Sequence, residues 1–98
     1  MDRDEVIERL KSCETTLRQR GVAHVALFGS TARREARLDS DIDLLVELAP
    51  NTGMGLFEYS ALVQFLEDLF PLRVEVVNGR KVKSEIRQTI EGDALYAF

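Results

Sequence analysis

The sequence predicts a small α/β domain of 98 residues, with helices packed against a three- or four-stranded sheet in the order α-β-α-β-α-β-α. Three observations lead there. Apolar residues recur at helical spacing in three separate segments. Between these segments lie three runs rich in β-branched residues. Glycine, proline and asparagine punctuate the junctions.

The first helix is expected over residues 2 to about 20, because Val6, Leu10, Cys13 and Leu17 fall on one face of a 3.6-residue period. Asp2 and Glu5 form a capping pair at its start, and Gly21 is its stop. Cys13 reads as a small core residue on that stripe. "VAHVALFG", residues 22–29, is a largely buried strand, and "STARREA" is a short helical turn that Ser30 can cap. "DIDLLVEL", residues 41–48, is the second strand, and "APNTG" is a loop.

Residues 54 to about 69 form a long helix with two adjacent apolar stripes: Leu56, Tyr59, Val63, Leu66 and Phe70, then Leu62, Phe65 and Leu69. So wide a face packs on a sheet, and its surplus is a candidate docking surface. Pro71 ends the helix, "LRVEVV" at 72–77 is the third strand, and "NG" makes a turn. Val82, Ile86 and Ile90 mark a last helix over 81–91, and "ALYAF" adds a short terminal strand. The whole chain, 1–98, is expected to be one domain.

Composition excludes several classes. A net charge of −4 argues against direct nucleic-acid binding, which needs clustered lysine and arginine. One cysteine makes no internal disulfide, no apolar run approaches membrane-spanning length, and the N-terminus lacks a signal peptide's apolar centre. A cytoplasmic location without membrane contact is therefore expected. A domain this small buries a limited fraction of its surface, so a partner or self-association into a homo-oligomer is also expected.

Asp41 and Asp43 are costly residues for a strand, since like charges side by side oppose folding unless compensated. Two apart, they project from the same face, while Ile42 and Leu44 point into the core. Carboxylates held on one rigid face can grip a hard divalent cation, and Mg²⁺ suits them. Glu75, between Val74 and Val76 on the strand expected beside 41–47, projects from the same face if those strands pair in register. Three such carboxylates can hold a pair of metals about 4 Å apart. One would orient a triphosphate and the other would activate an attacking hydroxyl, which is most of the work in phosphoryl or nucleotidyl transfer. Gly29 and Ser30 suit the same site, the glycine by letting backbone approach an anion and the serine by donating a hydroxyl.

The stretch "GSTARREARLDSDIDLLVEL" resembles the signature of the minimal nucleotidyltransferases of the DNA polymerase β-type superfamily. The family pattern is Gly-Ser, two residues, Arg, about six residues, then Ser-Asp-x-Asp-Leu-x-Val. Gly29, Ser30, Arg33, Ser40, Asp41, Asp43, Leu44 and Val46 match it in type and spacing. The resemblance covers essentially the whole chain. It implies the nucleotidyltransferase fold with a mixed sheet, Mg²⁺ on Asp41, Asp43 and Glu75, and a triphosphate, ATP or another, held by Gly29, Ser30, Arg33 and Ser40. Arg33 reads either as a brace for the loop through a carboxylate or as a phosphate ligand. Two positions depart from the pattern. The third carboxylate is usually aspartate where Glu75 stands, and glycine is common where Arg34 stands.

Such proteins resemble antitoxins whose partner is a HEPN-domain ribonuclease toxin. The implied reaction is transfer of AMP from ATP to a tyrosine hydroxyl of that toxin. A second reading also stands: a nucleotide-binding module, weak or inactive in catalysis, that neutralises its partner by association. Transfer to a small molecule ranks last, since 98 residues leave no room for a further acceptor domain. Outside the signature, Arg80, Lys81, Lys83 and Arg87 form a basic cluster that reads as a solvated face or as a steering patch for phosphates. His24 reads as structural or solvent-facing.

Overall fold

The computed structural model describes residues 1–33 and 40–98. Helix α1 spans Arg3–Ser12, α2 Glu14–Gln19 and α3 Gly29–Ala32, with α4 at Leu56–Asp68 and α5 at Ser84–Asp93. The strands are β1 Val22–Phe28, β2 Ile42–Leu48, β3 Val74–Asn78 and β4 Leu95–Tyr96. The expected order is found, including the short terminal strand.

The first helix departs from expectation. It is two helices broken at Cys13, whose backbone N–H bonds to Leu10 O in a tightened turn. The Ser12 hydroxyl donates to Arg9 O at 2.6 Å, so a side chain competes for the backbone where the helix breaks. Cys13 is half-buried at that joint rather than inside the core. Asp2 caps α1 by accepting from Glu5 N–H at 2.9 Å. Helix α4 begins at Leu56 and α5 at Ser84, each a few residues later than the periodicity suggests.

The four strands form one mixed sheet ordered β3-β2-β1-β4. Strand β1 is antiparallel to β2 and to β4, while β2 and β3 run parallel. Alternation along β2 sends Ile42, Leu44 and Val46 into the core with Val25, Leu27 and Val74. Val6, Ile7, Leu10 and Leu17 from α1 and α2, and Leu62 and Leu66 from α4, cover that face. Arg9 joins these helices, donating to Leu69 O at 2.7 Å with its guanidinium over the Phe70 ring.

The opposite face carries Asp43, Leu45 and Glu47, and α5 lies beside it. No α5 side chain is fully buried. Arg87 attaches the helix instead, pairing with Glu47 and Glu91 and donating to Gly79 O at 2.9 Å. Polar anchoring of α5 leaves the neighbouring sheet surface open for a site. Among the described residues, no helix is long and apolar enough to cross a membrane.

Candidate active site

Strand β1 ends at Phe28, and the chain turns at once into α3 through Gly29, whose φ is +77°. Only glycine adopts that region without strain. Phe28 pairs with Asp43, so the turn stands directly beside the aspartate. A Cβ on Gly29 would collide with the Asp43 carboxylate and lie 3.2 Å from its Cγ. Two independent constraints therefore require glycine here: backbone conformation and room for a carboxylate.

Thr31 is buried in α3, and its hydroxyl lies 3.5 Å from Asp41 O, joining the turn to the entry of β2. Ile42 N–H donates to Arg73 O at 2.9 Å, joining the same entry to β3. Asp41 thus sits between two ties just before β2, and Asp43 is its second residue. Thr31 and Arg73 carry no motif signal; a buried hydroxyl and a backbone carbonyl just ahead of β3 acquire roles only once the sheet has formed.

Asp43 and Glu75 are register partners across the parallel β2–β3 pair. Side chains opposite one another on neighbouring strands leave the sheet on the same face. Their carboxyl groups interact closely, and the Asp43 pKa is pushed up to about 6. Burial is the largest cause, followed by the hydrogen bond to Glu75, then the negative charges of Glu75 and Asp41; the Arg33 guanidinium pulls the other way. Carboxylates this close repel when both ionise, and a hard divalent cation with oxygen ligands relieves that repulsion. The donors fit such an ion. Among the described residues, however, no three Asp, Glu, His or Cys side chains converge as a finished metal cage. The Asp43–Glu75 pair is formed, and Asp41 stands near enough for its charge to act on Asp43.

Of the other expected ligands, Gly29 and Ser30 open α3 beside this pair, and Ser40 is half-buried ahead of β2. Arg33 caps the end of α3 and pairs with Asp93 of α5 at 3.0 Å, which ties the turn to that helix. Arg34 lies outside the described residues. The basic cluster does not form a free patch at the site. Arg80 donates to Ala49 O at 2.7 Å and Leu48 O at 3.3 Å, and Arg87 is held by Glu47 and Glu91, while Lys81 and Lys83 are exposed. His24 is also exposed, its Nδ1 3.3 Å from Phe98 O.

A strand-to-helix glycine turn facing a pair of carboxylates is an arrangement that can accommodate an anion and a hard counter-ion side by side. The chain belongs to the nucleotidyltransferase domain family, whose model matches residues 10–97. Within it, the chain is similar to the protein adenylyltransferase MntA of Thermococcus cleftensis, at 35% identity over 95% of this chain and 93% of the relative. It is 33% identical to a Methanocaldococcus jannaschii protein provisionally named a protein adenylyltransferase, over 94% of each chain. A solved structure provisionally named a minimal nucleotidyltransferase superposes with a TM-score of 0.80 at 34% identity, covering 97% of this chain and 95% of that one. A toxin–antitoxin complex with AMP-PNP shares the fold, with a TM-score of 0.71 at 21% identity over 92% of this chain and 72% of that one.

Proposed function

We propose that this protein transfers AMP from ATP to a tyrosine hydroxyl of a HEPN-type toxin in the cytoplasm, acting as its antitoxin. The observation that carries the reading is that the Gly29 turn abuts the Asp43 carboxylate, whose register partner on the neighbouring strand is Glu75. Relatives named as protein adenylyltransferases support the choice of a protein acceptor.

Asp41, Asp43 and Glu75 would hold Mg²⁺, which when bound neutralises the triphosphate and lowers the cost of ionising the acceptor hydroxyl. Gly29 lets the backbone approach the phosphates, and Ser30 offers a hydroxyl donor beside it. Ser40, at the entry to β2, completes the polar rim. Arg33, tied to Asp93, keeps the turn in place and lends positive charge to the carboxylates. The tyrosine oxygen bonds to the α-phosphorus, the bond to pyrophosphate breaks, and the hydroxyl proton passes to the Asp43–Glu75 pair.

Incubation with ATP, Mg²⁺ and the purified toxin, followed by intact mass, tests the reading. The expected result is an AMP-sized increase on the toxin, lost with Asp41→Asn/Asp43→Asn together with the loss of neutralisation. One observation favours a second reading, a nucleotide-binding module that silences its partner by association: the third carboxylate is glutamate, and the three acids do not stand as a finished cage. That reading requires no mass increase and full neutralisation by the double variant.

A further inference from the structure

Beyond Glu75 the sheet ends. Strand β3 is an edge strand, and its outer side meets the last turns of α4 in an open groove of about 440 Å³. That volume lies in the range of small-molecule and side-chain pockets. Gln64, Glu67 and Asp68 of α4 form one wall, with Arg73 and Glu75 on the other. Glu75 therefore belongs both to the carboxylate pair and to the groove.

The order across the sheet gives the groove its direction. Gly29 lies beside Asp43, Asp43 beside Glu75, and the groove beyond Glu75. If the triphosphate rests against the Gly29 turn, its leaving pyrophosphate and the incoming hydroxyl must lie on opposite sides of the α-phosphorus, as in-line displacement demands. The groove is on the side left to the hydroxyl. Its charge is selective too: three carboxylates face one guanidinium, and Arg73 is 75% exposed in a loose 3.7 Å contact with Glu75. Gln64 donates to Asp68 at 2.9 Å, which orients that carboxylate on the wall.

We infer that this groove seats the acceptor, a hydroxyl-bearing protein segment with lysine or arginine next to its hydroxyl. The inference rests on the transferase reading, and it adds where the acceptor enters and which chemistry it presents. Glu67 and Asp68 are specificity-determining positions that meet the flanking cation. Arg73 stands at the boundary between the groove and the carboxylate pair, 3.7 Å from Glu75.

The test uses two tyrosine peptides that differ only in flanking residues, lysines in one and glutamates in the other. Binding is read by fluorescence anisotropy with Mg²⁺ and a non-hydrolysable ATP analogue, and AMP transfer is read by mass with ATP. The lysine peptide should bind the wild-type protein roughly tenfold more tightly than the glutamate peptide, and Glu67→Lys/Asp68→Lys should reverse that order. Nucleotide affinity should not change in this variant, because both positions lie on the far side of Glu75. A milder Glu67→Gln/Asp68→Asn variant should abolish the preference without reversing it, which guards against misfolding of the charge-reversed protein. Equal binding of the two peptides, or a preference that survives charge reversal, overturns the inference. Charge-selective binding without transfer would overturn the transferase reading and leave the groove assignment standing.

Discussion

Asp43 concentrates the conflict between stability and function in one side chain. Its carboxyl titrates near 6 in the folded protein and near 3.8 in an unfolded chain, so the folded state binds the proton more tightly. Stability linked to this group is therefore full below about pH 4 and falls as pH rises through about 6. The group is only half-buried, so solvent screening discounts the effect to the order of 1 kcal/mol. Thermal melts without divalent cation should show this decline between those pH values, and Asp43→Asn should flatten it. Mg²⁺ should raise the melting temperature at pH 7 and have little effect near pH 4.5, where the proton already neutralises the pair. Gly29→Ala should fail on both counts noted above: the strained φ of +77° and the Cβ collision displace the carboxylate. A loss of about 1–2 kcal/mol in stability is expected, with AMP transfer reduced to background.

Among the elements, α5 is the least secured by apolar contact and the most dependent on ion pairs. Arg87 reaches Glu47 on β2 and Gly79 O in the connection after β3, while Arg33 holds Asp93 at the other end. Arg87→Ala should open α5 locally, lowering amide protection over residues 84–93 by about 1–2 kcal/mol while protection in β1 and β2 stays near wild type. Helix α4 shows why periodicity misleads about burial. Its stripes are as expected, and Leu62 and Leu66 are buried, yet Leu56 and Phe57 at its start remain 77% and 87% exposed. The helix begins before it meets the sheet, and the apolar pattern cannot say where contact starts. The break at Cys13 is a similar case, since 3.6-residue spacing continues across a joint made by one tightened turn.

On the scale of the whole molecule, α1, α2 and α4 cover one face of the sheet and supply most of the core, so that core depends on few residues. Leu66 is fully buried between α4 and the strands. Leu66→Ala should cost about 2–5 kcal/mol in denaturant melts. For a domain this small, that is a large share of total stability. The second face is spared from that duty. It can hold ionised groups because α5 is fastened there by arginines rather than by a packed apolar stripe.

Local chemistry was written in the sequence. Strand alternation put Asp41 and Asp43 opposite Ile42 and Leu44, and the spacing from Gly29 and Ser30 to the aspartates marked a glycine turn beside a carboxylate-bearing strand. These are short-range properties, determined by side-chain direction and turn conformation within a few residues. Tertiary structure decided what depends on distant segments meeting. It set the register that brings Glu75 opposite Asp43, the pairing of Arg33 with Asp93, the use of Arg80 and Arg87 as staples, and the groove between α4 and β3. A one-residue slip of β3 would turn Glu75 to the other face without altering its local pattern. Only the packing of β3 against β2 and α4 selects the register in which Glu75 stands opposite Asp43.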